Sequence, residues 1–136
     1  MNLLLYIAIG PVIPSRYENS IIEKAKIHLP GITVYDCDNH SETLTIRYAA
    51  DLLAQAARAV AIIQVNEDKT AADGPVLGGL RLLFERLLQQ PDKLLVLLHG
   101  EHPLTERIMS LLPPGRLHKN QSETQQLASM DAFLTE

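Results

Sequence analysis

AVAIIQV, residues 59 to 65, is apolar at every position except Gln64, and four of its seven residues are β-branched. It is too short for an ordinary helix and lacks the alternation of a strand with one wet face. A strand covered by helices on both faces reads this way. Two further runs share the pattern: LLLYIAI, Leu3 to Ile9, and LLVLL, Leu94 to Leu98. More polar runs at Ile32 to Tyr35 and Arg116 to His118 suit the edges of the same sheet.

Helical patterns fill the gaps. Ser15-Arg16-Tyr17-Glu18 has the form of a capping box, followed by Tyr17, Ile21, Ala25 and Leu29 at helical spacing. Ser41 is placed to cap a second helix, with Leu44, Tyr48, Leu52 and Gln55 along one side. Val76, Leu77, Leu80, Leu83, Phe84, Leu87 and Leu88 give a third helix a broad apolar face. Pro103 fits the first turn of a fourth, which Pro113-Pro114-Gly115 stops. Ser122 and Gln125 open a fifth, with Leu127, Met130 and Leu134 inward.

Strand and helix thus alternate five times, and right-handed crossovers fold such a chain into a three-layer α/β/α sandwich on a five-stranded parallel sheet. Strong strands at positions one, three and four, with weak ones at two and five, predict the flavodoxin-like order 2-1-3-4-5. The 136 residues read as one domain, 1–136, without repeats or linkers.

Composition narrows the function. The chain is 46% hydrophobic and carries a formal charge of −4. It has no lysine or arginine block, so neither nucleic acid nor membrane is expected as a partner. The single cysteine, Cys37, fits a reducing compartment. The opening MNLLLYIAIGPVIP lacks a basic segment before its apolar run and a small-residue cleavage site, and reads as a buried strand. A cytoplasmic location is the expectation.

Ligands of such sheets bind beyond the carboxyl ends of the strands, where the connections after strands one and three diverge. That rule nominates 10–15, 36–41, 66–74 and 99–102. Gly10, Pro11, Asn66, Asp73, Gly74 and His99 are the candidate ligand-binding residues. A phosphoryl-accepting receiver site is excluded, because strand one ends in Ile9-Gly10-Pro11 and strand three in Val65-Asn66. Dinucleotide, P-loop and nucleophile-elbow motifs are also missing. Asp36-Cys37-Asp38-Asn39-His40 offers metal-ligand atoms, but adjacent residues cannot all face one ion, and the run reads as turn and cap chemistry. In His99-Gly100-Glu101-His102, Glu101 or His102 suits a helix N-terminus, and His99 is the better ligand candidate. No metal and no cofactor is expected.

Asp73-Gly74 reads as the turn that opens the third helix, with Asp73 near its first N–H groups. Gly78-Gly79, one turn into that helix, weakens it relative to alanine. Close packing is the first explanation and a ligand the second.

Several stretches resemble the nucleoside 2-deoxyribosyltransferase-like family, including its 2'-deoxynucleoside 5'-phosphate N-hydrolase branch. They are Tyr6-Ile7-Ala8-Ile9-Gly10-Pro11 at the end of strand one, Gln55-Ala56-Ala57-Arg58-Ala59-Val60-Ala61 leading into strand three, and Gly74 with Gly78-Gly79 after it. The resemblance spans roughly residues 3 to 100. It implies a nucleotide-like small molecule as ligand, and assembly through the third-helix region. It also implies a glutamate that attacks the anomeric carbon, but that position falls on Leu77 or Gly78, and the family's aspartate before strand three is Ala57. Neither leucine nor glycine is a nucleophile. Catalytic residues are therefore unassigned, and two readings stay open. One is a non-catalytic relative that binds a nucleotide-like ligand or a protein. The other is a glycosidic-bond enzyme with a relocated carboxylate, drawn from Glu67, Asp68 or Asp73. A homodimer through 76–88, centred on Leu82, Phe84 or Leu88, is the expected assembly.

Overall fold

The computed structural model describes residues 1–11, 20–66 and 76–135. The five strands among them are β1 (Asn2–Ile9), β2 (Thr33–Asp38), β3 (Arg58–Val65), β4 (Leu94–His99) and β5 (Leu117–Lys119). They form one parallel sheet in the order β2-β1-β3-β4-β5, as the hydrophobicity of the runs predicts. Five α-helices alternate with them: α1 (Ser20–His28), α2 (Thr43–Gln55), α3 (Leu80–Leu88), α4 (Pro103–Met109) and α5 (Glu123–Leu134).

Strand pleating sends alternate side chains to opposite faces, and both faces are covered. Leu3, Leu5, Ile7 and Ile9 of β1 join Ala61, Ile63, Val96 and Leu98 in a core against α2, α3 and α4. Leu4, Val60, Ile62, Leu95 and Leu97 point the other way, into a core closed by α1 and α5. This double burial explains why the three central runs show no alternation in hydrophobicity.

Helix ends follow local chemistry where that chemistry is strong. Ser122 and Gln125 form a reciprocal capping box on α5. Pro103 sits in the first turn of α4. Lys93 secures the end of α2 from outside the helix, its Nζ donating to the Leu53 and Ala56 carbonyls at 2.6 and 2.8 Å. The last carbonyls of a helix lack their usual partners four residues on, and a cation there also meets the negative end of the helix dipole.

Four expectations need correction. β2 runs from Thr33 to Asp38, so Asp36, Cys37 and Asp38 lie on the strand rather than in a turn, and Cys37 is buried. Ser41 does not cap α2: the cap position is Glu42, without a side-chain bond, while Ser41 Oγ accepts from the Asp38 N–H at 2.9 Å. The inward face of α2 is Ile46, Ala49 and Leu53, leaving Leu44 and Tyr48 exposed. Gly78 and Gly79 precede α3 rather than lying within it. The Ser15 capping box and Tyr17 lie outside the described residues.

Candidate functional site

The carboxyl edge of the sheet is organised around Gly10 and Asn39. The Asn39 side chain is buried, 8% exposed, after β2. Its Oδ1 accepts from the Gly10 N–H at 3.1 Å, and its Nδ2 donates to the Gly10 carbonyl at 3.0 Å. The same Nδ2 donates to the Val76 carbonyl at 2.7 Å, just before α3. One amide therefore ties together the ends of β1 and β2 and the approach to α3. A buried amide with all of these partners met is a fixed structural element.

His40 adds a fourth link. Its Nε2 lies 2.8 Å from the Gly10 carbonyl, and because a carbonyl only accepts, Nε2 carries the proton. The His40 N–H donates to Asp38 Oδ1 at 2.7 Å. The ring belongs to an exposed residue and stands on the rim.

Gly10 and Asn66, nominated from the sequence, do come together. A Cβ on Gly10 would lie 2.9 Å from the Asn66 Cβ, and the Asn66 N–H donates to the Ile9 carbonyl at 2.7 Å. These two residues therefore abut at the carboxyl ends of β1 and β3. Pro11 is exposed beside them. His99 ends β4 in register with Gln64, is exposed, and has Nδ1 3.2 Å from Gln64 Nε2. Asp73 and Gly74 lie outside the described residues, as do Glu67 and Asp68.

The other histidine of the 99–102 run has a different fate. His102 is buried at the N-cap of α4, where its Nδ1 accepts from the Thr105 N–H at 3.2 Å and lies 2.8 Å from Thr105 Oγ1. His102 is thus a cap, the helix N-terminal role that its position suggested. Among the described residues no group of three or more His, Cys, Asp or Glu is arranged to hold a metal ion.

The geometry before α3 bears on chemistry. Leu77 is 2% exposed and packs into the core under α2 and α3. Gly78 has φ +57°, and a Cβ there would stand 2.6 Å from the Asn39 carbonyl oxygen. That separation excludes any side chain unless backbone moves. Neither position presents a functional group to the carboxyl edge of the sheet, and close backbone approach accounts for Gly78.

The apolar residues of the 76–88 segment are mostly consumed within the fold. Leu77, Leu80, Leu83, Phe84 and Leu87 are buried, so Phe84 offers no interface centre, and Leu88 is partly buried against the same core. Val76 and Leu82 remain exposed.

Asn39 and His40 are the site residues that sequence reasoning missed. Their signal was the polar run after β2, but the partner, Gly10, lies 29 residues away.

The fold places the chain in the flavodoxin-like class of α/β/α sandwiches. No protein-family model and no curated protein matches the chain. No helix among the described residues is long and apolar enough to cross a membrane.

Proposed function

We propose that this chain is a non-catalytic binding domain, similar to the nucleoside 2-deoxyribosyltransferase-like family, that takes a nucleotide-like small molecule in the β1–β3 crevice. The observation that carries this reading is the pair Leu77 and Gly78. One side chain is sealed in the core, and the other position abuts the Asn39 carbonyl, so a nucleophile fits at neither.

What supports binding is the position of the crevice at the point where the connections after β1 and β3 diverge, the usual ligand location in open parallel sheets. Gly10 and Asn66 abut there. The exposed polar rim includes His40 and His99, whose rings suit stacking against, or hydrogen bonding to, a heteroaromatic base. The Gly10 N–H and carbonyl already have partners in Asn39, so in this reading ligand contacts fall to Asn66 and the rim side chains. The homodimer through 76–88 has less to rest on, since only Val76 and Leu82 of its apolar residues are exposed.

Incubation with deoxynucleosides and their 5'-monophosphates, followed by chromatography, tests the absence of chemistry. The proposal expects no release of base. Release that disappears in Asp73→Asn or Glu67→Gln would establish the relocated-carboxylate enzyme instead.

A further inference from the structure

The outer face of α2 carries an unusual combination for a solvent face. Leu44 is 74% exposed and Tyr48 53%, four residues apart on one side of the helix. The Tyr48 ring is held against Tyr35 of the edge strand β2, centroids 5.1 Å apart, and Tyr35 itself packs on the core. Arg47, Asp51 and Ala54 are exposed on the same outer side of the helix.

The order of these residues along the helix is self-complementary. A bulky apolar residue, Leu44, and a cation, Arg47, lie toward the N-terminal end. An anion, Asp51, and a small residue, Ala54, lie toward the C-terminal end. Leu44 and Ala54 are equidistant from the level of Ala49, and so are Arg47 and Asp51. Two antiparallel copies of α2 related by a two-fold axis at that level set Leu44 against Ala54 of the second copy, and Arg47 against Asp51 of the second copy. Both pairings recur by symmetry, which is the property of an isologous interface. A parallel pairing sets like charges together.

We propose that α2 is a pairing surface whose partner is a second copy of this chain, docked antiparallel through Leu44, Arg47, Tyr48, Asp51 and Ala54. A 13-residue helix is about 20 Å long, and one helix pair buries less than a standard interface. The dimer is therefore expected to be of micromolar strength and to weaken as salt screens the two ion pairs.

Sedimentation velocity on the full chain over a range of concentrations tests this, with circular dichroism to verify that each variant is folded. Wild type should pass from monomer to dimer through the micromolar range. Leu44→Glu should be monomeric throughout. Arg47→Asp alone, or Asp51→Arg alone, should raise the dissociation constant about tenfold or more by setting like charges opposite. The double exchange Arg47→Asp with Asp51→Arg should restore dimerisation, because the opposed charges match again. The proposal is overturned by a wild-type monomer at the highest concentrations. It is equally overturned by a dimer indifferent to Leu44→Glu and the single charge reversals, or by failure of the double exchange to rescue.

Discussion

Asn39 satisfies both backbone hydrogen-bonding groups of Gly10 through one amide, receiving its N–H and donating to its carbonyl. The same amide also reaches Val76. The end of β1 and the approach to α3 are therefore positioned by one side chain that follows β2.

Asn39→Leu is expected to destabilise the fold by about 2–3 kcal/mol, because the Gly10 N–H and the Val76 carbonyl lose their partner and the Gly10 carbonyl keeps only His40. The melting temperature should fall by roughly 10 °C. Asn39→Asp keeps the acceptor for the Gly10 N–H but sets a carboxylate against two carbonyls, and should be at least as damaging. Thermal denaturation monitored by circular dichroism reads both effects.

Gly78→Ala and Gly115→Ala form a matched comparison. Both glycines have positive φ, +57° and +81°, but only at Gly78 does a Cβ meet backbone, 2.6 Å from the Asn39 oxygen. Gly115→Ala should cost about 1 kcal/mol of conformational strain, and Gly78→Ala about 3 kcal/mol or more, since strain and clash combine. Equal melting temperatures for the two variants would mean that the chain before α3 is not seated on Asn39.

Acidification should loosen the contact between α1 and α5. Glu123 accepts from Lys24 at 2.6 Å and from Ser20. The Lys24 hydrogen bond first, and the Ser20 one next, hold its carboxyl below the usual glutamate range. A carboxylate with a depressed folded-state pKa stabilises the fold above its unfolded value, about 4.3. That contribution is lost as pH falls through the lower folded value. Glu123→Gln should reduce stability at neutral pH and flatten its dependence on pH below about 5, where the unfolded carboxyl begins to take up protons. Urea denaturation at a series of pH values measures this, with a modest amplitude because the pair is exposed.

Much of the sheet was legible because burial on both faces writes an apolar run into each central strand. Leu3 to Ile9, Ala59 to Val65 and Leu94 to Leu98 each fall within an observed strand. Caps with strong reciprocal chemistry, such as Ser122 with Gln125, were equally readable. Where a side chain had a competing partner, the reading failed: Ser41 serves the Asp38 backbone instead of α2. The α2 face was misjudged because its inward residues, Ile46, Ala49 and Leu53, lie on the opposite side from the equally apolar Leu44 and Tyr48. Topology also set the ends of strands one and three side by side, and Gly10 and Asn66 do meet there. The role of Asn39 was not legible although the run 36–41 was nominated, because its partner Gly10 lies 29 residues away and the pairing of an amide with a glycine backbone leaves no periodic trace.

The central claim, binding without turnover, is tested most directly by proton NMR of deoxynucleoside 5'-monophosphates incubated with the protein. Saturation transfer from protein to nucleotide reports binding, and the anomeric proton reports the glycosidic bond in the same spectra. Binding in the β1–β3 crevice predicts saturation transfer that is lost in an Asn66→Trp variant, with the anomeric signal unchanged over days. New free-base resonances, or no saturation transfer to any nucleotide at millimolar concentration, would contradict it.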